Sequence, residues 1–186
     1  MLKYAKVYNY ENQKLGRLMF VHQYFGKPNN TDFLQTFNII TPSTGNKMST
    51  LIKDIYFNDD KLESQKNPLS IGIAELLHRS SRSPEATKIS WIESAIKNKN
   101  IGQDLLCFVA MMTQECGLEK ILLNSLYDAI EFYLRFGFVK DMPNRDIDFG
   151  ESCDMHGLVK NLNLPKIAIR EDRELSKIAT DTLQSI

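Results

Sequence analysis

The chain of 186 residues is 42% hydrophobic and carries 23 basic and 23 acidic residues. That length and apolar content suit one α/β domain with its own core, and they exclude disorder over most of the chain. Because the charges balance, the net charge supplies no attraction to a nucleic acid or to an anionic membrane. We therefore expect a globular protein without a nucleic-acid partner.

Three cysteines, Cys107, Cys116 and Cys153, are odd in number and form no CxxC pair. This usage predicts reduced thiols in a cytoplasmic setting and no metal site. The N-terminal residues lack the apolar run of a signal peptide, and no segment approaches the ~20 apolar residues that span a bilayer. We therefore expect no association with a membrane.

The first half of the chain contains short elements separated by turn-rich clusters. Residues 15–25 are densely apolar and aromatic, which predicts a strand. Thr31 is a suitable N-cap for a helix over 31–40, and residues 46–57 carry apolar side chains at helical spacing, which predicts a second helix. The apolar positions of the two predicted helices are Phe33, Leu34 and Phe37, and then Met48, Leu51, Ile52, Ile55 and Tyr56.

Two strands are predicted over residues 69–79 and 87–94, joined by a short turn-forming segment that favours antiparallel pairing. Regular alternation along the second strand would place Ile89, Trp91 and Glu93 on one face. Trp91 therefore either lines a pocket beside Glu93 or, as the only tryptophan, anchors the core.

A basic loop precedes the next helix. Asn100 is a good N-cap residue and Gln103 stands where a capping box needs it, which predicts a helix that begins near Asn100. The unpaired N–H groups of the first turn, the helix dipole, Lys97 and Lys99 together form a site suited to a pyrophosphate. The alternative is a capped core helix after a solvated lysine loop.

Residues 118–126 are apolar enough for a buried strand, and residues 127–136 predict a short helix. Tyr133 lies on that helix. Taken alone, it is a core residue that packs against Phe132 and Phe136.

Two motifs in this region resemble those of the GCN5-related N-acetyltransferase (GNAT) family. The family carries Q/R-x-x-G-x-G/A at its phosphate loop, and residues 97–102, KNKNIG, align with that signature. Gly102 matches the second glycine, whereas Asn100 and Lys97 replace the first glycine and the leading residue. Asparagine tolerates a positive φ better than other non-glycine residues, so the loop geometry stays possible.

The second motif is A-x-x-x-Y-x-x-x-G-F, which Ala129, Tyr133, Gly137 and Phe138 match without a gap. The resemblance covers about residues 69–162. It implies a mixed, mostly antiparallel α/β sheet flanked by helices, with acetyl-CoA bound where two strands splay apart.

The resemblance also implies roles for individual residues. Tyr133 would protonate the leaving CoA thiolate as a general acid. A family asparagine that contacts the pantetheine arm falls at Leu126, and Ser125 is the residue that could replace it. The residues implied to bind acetyl-CoA are Ile92, Lys97, Asn98, Lys99, Asn100, Ile101, Gly102, Gln103, Ser125 and Tyr133.

Attack on the thioester requires a neutral amine, so a base or a water chain must take the amine proton. Glu93, at the end of the strand before the phosphate loop, is the first candidate for this base, and Glu75 on the neighbouring strand is the second. A solvated carboxylate without a catalytic role is the alternative for both. His78 and Glu115 rank below them, because a lone strand histidine is usually structural and a helix-face glutamate is usually solvated.

The resemblance places a final strand at 155–162. Residues 166–186 follow as an addition with an amphipathic stripe, which either docks on the domain, docks on a second subunit, or frays. The stripe consists of Leu175, Ile178, Ala179, Thr182 and Leu183.

We therefore predict a GNAT-like domain over 1–165, with an acceptor-side part at 1–68 and an acetyl-CoA core at 69–162, followed by a C-terminal extension at 166–186. In the family the first part supplies a strand and two helices. The predicted activity is direct transfer of an acetyl group from acetyl-CoA to a primary amine, without a metal, by a cytoplasmic protein that could form a homodimer. Alternatives are a non-catalytic CoA- or partner-binding protein of this fold and a toxin that acts on aminoacyl or protein amines.

Overall fold

The computed structural model describes residues 2–26, 33–57, 70–80 and 82–186. These residues form nine strands and four α-helices. In chain order they are β1 (Leu2–Asn12), β2 (Gly16–Gly26), β3 (Phe33–Ile40), α1 (Gly45–Phe57), β4 (Ser70–Ser80), β5 (Ser83–Ser94), α2 (Ile101–Glu115), β6 (Lys120–Leu126), α3 (Ile130–Arg135), β7 (Val139–Lys140), β8 (Ser152–Leu158), β9 (Ile169–Glu171) and α4 (Arg173–Gln184).

The strands form one sheet in the order β7-β8-β6-β5-β4-β3-β2-β1-β9. Neighbouring strands are antiparallel except β5 and β6, which are parallel and joined by the α2 crossover. Residues 86–89 of β5 pair with residues 120–123 of β6, and the pairing stops there although β5 continues to Ser94. The two strands therefore splay apart, and the predicted mixed, mostly antiparallel α/β fold is confirmed.

A β-bulge in β5 lies at the point of separation. Glu75 of β4 pairs with Trp91, but the adjacent Leu76 pairs with Ile89, so Ser90 is an extra residue in β5. Paired residues share a face and adjacent residues of β4 point to opposite faces, so Trp91 and Ile89 lie on opposite sides of the sheet. The interpretation that Ile89, Trp91 and Glu93 share one face was wrong, because the bulge reverses the alternation.

Helix α2 packs on one face of the sheet. The ring of Phe108 stacks on Phe20 with the ring centroids 3.8 Å apart, and Tyr10 meets Phe108 edge-on at 5.1 Å. In the first turn of α2, Ile101 packs against β4 at Gly72. The N-terminal end of α2 is therefore held beside the splayed strands.

Helices α1 and α4 cover the opposite face over β1 to β3. Their buried side chains and those of the three strands form a second core: Ala5, Val7, Met19, Val21, Ile40, Met48, Leu51, Ile52, Ala179 and Leu183. Helices α1 and α4 pack against each other in this layer.

α4 also covers the edge of β1 with hydroxyl groups. The Ser176 hydroxyl accepts a hydrogen bond from the Val7 N–H at 2.9 Å, and the Thr180 hydroxyl accepts one from the Ala5 N–H at 3.0 Å. A rise of four residues along a helix, about 6 Å, is close to the roughly 6.7 Å of two residues along a strand. Of the predicted outcomes for residues 166–186, docking on the parent domain is the one found.

The strand at 15–25, the helix at 46–57 and the strands at 69–79 and 87–94 are confirmed within the described residues. The helix expected over 31–40 was wrong, since Phe33–Ile40 is strand β3; Thr31 lies outside the described residues. Successive β3 side chains from Gln35 to Ile40 are buried on both faces, so the segment lacks the polar alternation that marks a half-exposed strand.

The strand expected over 155–162 is displaced. β8 spans Ser152–Leu158, and the chain turns at once into a 3₁₀ helix over Val159–Asn161.

Candidate functional site

A cavity of about 650 Å³ lies where β5 separates from β6. β5 and α3 contribute Ile92, Glu93 and Tyr133 to its lining. The loop and the first turn of α2 contribute the predicted residues Lys97, Asn98, Asn100, Ile101, Gly102 and Gln103. The two motifs of the sequence, which lie on different elements, therefore border one space.

Two of the residues expected to bind acetyl-CoA are not part of this lining. Lys99 turns its carbonyl oxygen toward the β1–β2 turn, where the Asn12 amide donates to it at 3.0 Å. Ser125 is buried, and its hydroxyl donates to the Leu126 carbonyl at 3.0 Å.

The phosphate loop contains two left-handed residues. Asn98 has φ 60° and Asn100 has φ 62°. Asparagine tolerates this region better than other non-glycine residues, so both positions suit the residue that occupies them. The capping box was wrong: among the described residues no side chain caps α2, and the Asn100 amide lies 3.4 Å from the Gln13 side-chain oxygen instead. The N–H groups of the first turn of α2 are therefore free of a side-chain acceptor, as an anion site requires.

The β1–β2 turn donates hydrogen bonds to two carbonyl groups of this loop. Lys14 donates its ammonium to the Asn98 carbonyl at 3.0 Å, and Asn12 donates to the Lys99 carbonyl. Lys14 also lines the cavity. Sequence reasoning missed both residues, because they lie more than 80 positions before the loop and carry no local motif.

A buried carboxylate holds the β1–β2 turn against the start of α2. Asp104, in the first turn of α2, accepts hydrogen bonds from Asn12 at 2.6 Å and from the Tyr10 hydroxyl at 3.0 Å. Burial raises the pKa of Asp104, and the two hydrogen bonds act in the opposite direction. The cluster connects the sheet, the helix and the turn, so it positions the phosphate loop.

Two glycines permit close packing around the cavity. A Cβ at Gly102 would lie 3.1 Å from the Phe132 ring, which borders the cavity from α3. A Cβ at Gly72 would overlap the Ile101 side chain. Gly72, which the motifs do not identify, lets the first turn of α2 approach the sheet.

Tyr133 is 6% exposed and meets the rings of Phe132 and Phe138 edge-on, with centroids 5.2 and 5.6 Å away. Burial raises the pKa of Tyr133 to about 12, so its hydroxyl stays protonated at neutral pH. Gly137, with φ 89°, ends this turn as the motif predicts.

Trp91 and Glu93 form an exposed pair on β5. Trp91 is 40% exposed, so it does not anchor the core, and its indole N–H donates to the Glu93 carboxylate at 3.3 Å. Glu75 pairs with Trp91 across the strands. His78 is fully buried with its Nδ1 2.7 Å from the Thr87 hydroxyl, and Glu115 is exposed at the far end of α2; neither lines the cavity.

A larger groove of about 1280 Å³ lies between β1, β9 and the start of α2. Four cationic and four carboxylate side chains line it, namely Arg17, Lys166, Arg170, Arg173, Glu11, Asp104, Glu171 and Asp172. Neither Tyr133 nor the unpaired part of β5 lines this groove, so the groove is not the place where the two sequence motifs meet, although it is larger.

No cluster of three or more potential metal ligands occurs among the described residues. Within the same residues, no helix is long and apolar enough to cross a bilayer. All three cysteines are free thiols.

No family model and no curated protein matches the sequence. Solved structures are similar at low identity. ElaA from Escherichia coli is 17% identical with a TM-score of 0.44, over 66% of this chain and 67% of that one. A GNAT-family acetyltransferase from Staphylococcus aureus is 16% identical with a TM-score of 0.43, over 68% of each chain. The PaiA N-acetyltransferase from Thermoplasma acidophilum, in complex with coenzyme A, is 19% identical with a TM-score of 0.40, over 58% of this chain and 69% of that one. The splayed parallel pair and the α2 crossover agree with the mixed sheet that the sequence resemblance implies.

Proposed function

We propose that this protein is an N-acetyltransferase that moves the acetyl group of acetyl-CoA directly to a primary amine. The observation that carries the proposal is the single cavity at the splayed strands. It is bordered by the uncapped first turn of α2, by the unpaired end of β5 and by the Tyr133 side chain. Each of these three parts meets a different requirement of the reaction.

The pyrophosphate would bind the main-chain N–H groups between residues 97 and 103, with Lys97 and Lys14 adding positive charge. The pantetheine arm would then follow the part of β5 beyond Ile89, whose backbone groups have no partner in β6. An extended chain with amide groups can hydrogen-bond to such an edge as an added strand does. Ile92, on the cavity side of β5, supplies apolar contact.

Acetyl transfer forms the bond between the amine nitrogen and the acetyl carbon and breaks the bond between that carbon and the CoA sulfur. The protein must accept a proton from the amine and return one to the thiolate. Tyr133 is the proposed donor to the sulfur, because its side chain borders the cavity and its hydroxyl is protonated at neutral pH. Glu93 is the proposed acceptor of the amine proton, directly or through water, since it borders the same cavity and is exposed.

A non-catalytic CoA-binding protein of the same fold is the second candidate. Asn98 and Asn100 favour it, because both border the cavity where close backbone approach to a pyrophosphate matters. An asparagine side chain at this position fills space that a glycine would leave to the ligand.

Calorimetric titration with CoA and turnover of acetyl-CoA with a panel of primary amines test the proposal together. Wild type should bind CoA, and with acetyl-CoA and an amine it should release CoA as the free thiol. Tyr133→Phe should keep the fold and the CoA affinity and lose roughly 10²–10⁴-fold in turnover. CoA binding without turnover on any amine would favour the second candidate, and absence of CoA binding would exclude both.

A further inference from the structure

On the side away from α2, the sheet has an area on both sides of the splay that no other described element covers. We call it the open face and define it by Trp91 and Glu93 on β5, Leu126 on β6, and Asp154 and His156 on β8. Cross-strand pairing places the β6 and β8 members on one side, opposite the buried Leu123 and Met155. Among the described residues, α1 and α4 pack over β1 to β3 and do not reach this area.

Large apolar side chains are exposed on and beside the open face. Of the eight exposed large apolar residues in the described chain, six lie here: Trp91, Leu126, Tyr127, Val139, Met142 and Phe149. Phe149 is 89% exposed, and its ring meets Tyr127 with the centroids 6.0 Å apart. Clustered apolar exposure of this kind marks a surface that binds a partner.

The border of the open face at residues 141–154 is acidic, whereas two lysines, Lys88 and Lys120, lie on the open face itself. Residues 141–154 contain five carboxylates, Asp141, Asp146, Asp148, Glu151 and Asp154, and a single arginine. That arginine, Arg145, is paired with Glu151 at 3.2 Å. The whole chain is neutral, with 23 residues of each sign, so this excess is local to the border of the open face. A partner with positive charge is the complementary one.

The shape of the area distinguishes a peptide from a small amine. A small-molecule site is concave and encloses most of its ligand. The exposed residues around Phe149 instead lie outside the cavity lining, and they extend from Tyr127, next to the lining residue Asp128, to strand β7. A ligand that used both the apolar and the acidic parts would have to span several strands.

We propose that the amine acceptor is a lysine side chain of a basic polypeptide segment that lies across the open face. This inference rests on the proposed acetyl transfer and adds the class of its acceptor. The lysine amine enters the splay beside Glu93, while apolar side chains of the segment contact Phe149 and Leu126. Flanking basic residues face the carboxylates of residues 141–154.

The test compares two acceptors in the same acetyl-CoA assay: an N-terminally blocked peptide of alternating lysine and leucine, and n-butylamine. The peptide should have the higher kcat/KM, by about tenfold or more. Phe149→Ser and Asp148→Asn should each raise the KM for the peptide, together by roughly tenfold, and leave kcat, CoA affinity and the rate with n-butylamine unchanged. Asp181→Asn, an exposed carboxylate on α4, is the matched charge control and should change none of these values.

Three results would overturn the inference. The first is equal or better turnover of n-butylamine, and the second is an unchanged peptide KM in both variants. The third is a concentration-dependent dimer that Phe149→Ser abolishes, which would assign the open face to a second copy of the chain. In all three the protein still binds CoA and the proposed function stands, whereas a protein that binds no CoA ends both proposals.

Discussion

Two histidines are buried as neutral side chains, and they make the stability of the protein depend on pH. His22, on β2, is 4% exposed with its Nε2 2.8 Å from the Gln35 side-chain oxygen, and burial lowers its pKa to about 3. His78, on β4, is fully buried, and burial lowers its pKa to about 4, with Arg79 acting in the same direction.

Both shifts have the same sign. An unfolded histidine, with a pKa of about 6.5, takes up a proton as the pH falls below that value, whereas the folded protein does not until about pH 3 to 4. The unfolded state then binds more protons, so the free energy of unfolding falls as the pH is lowered through this window. At about pH 5 each histidine costs about 2 kcal/mol relative to pH 8, and the two together cost about 4 kcal/mol.

Urea unfolding of wild type at about pH 8 and pH 5 measures the total acid effect, which includes other groups. His22→Gln and His78→Gln remove one titrating group each and keep a polar side chain, so each should reduce the difference between the two pH values by about 2 kcal/mol. His156→Gln, a partly exposed histidine near Asp141, controls for the loss of a histidine as such. A pH difference that neither core variant reduces would refute the reasoning.

Three further predictions concern the site. Lys14→Met should raise the dissociation constant for CoA about five- to tenfold at low salt and less at high salt, as measured by titration. Lys177→Met on α4 is the control, and an equal effect of both variants would mean that Lys14 does not contribute to the CoA site. Gly72→Ala overlaps the Ile101 side chain, so urea unfolding should show a loss of about 1–3 kcal/mol, accompanied by weaker CoA binding; unchanged CoA affinity would mean that the α2 turn is not positioned through this contact. Glu93→Gln should lower turnover by roughly 10²-fold near neutral pH, with a smaller loss as rising pH supplies neutral amine, whereas Glu75→Gln should not; the reverse pH–rate pattern would transfer the role to Glu75.

Local periodicity and motif spacing were sufficient for the elements whose character is set within a few residues. The helices at 46–57 and 101–115 show their apolar stripes in the sequence, and the described stripe residues Met48, Leu51, Ile52, Leu105 and Phe108 are buried. The interval from Ala129 to Phe138 corresponds to one short helix and its glycine end, so a motif match predicts geometry there. Such patterns are readable because the interactions that produce them lie within one or two helical turns.

Other features depend on contacts between distant parts of the chain. The segment 33–40 is a strand because β2 and β4 pair with it on both edges, which overrides its apolar pattern. Trp91 is exposed because the extra residue Ser90 reverses the alternation of β5, and no single-strand pattern reveals a bulge. Asn12 and Lys14 reach the phosphate loop only because α2 and the β1–β2 turn pack together around Asp104. The sequence by itself thus determined the motifs and the elements with a clear local pattern, whereas the pairing of strands and the buried polar contacts, which join residues far apart in the chain, decided the strand at 33–40 and the architecture of the site.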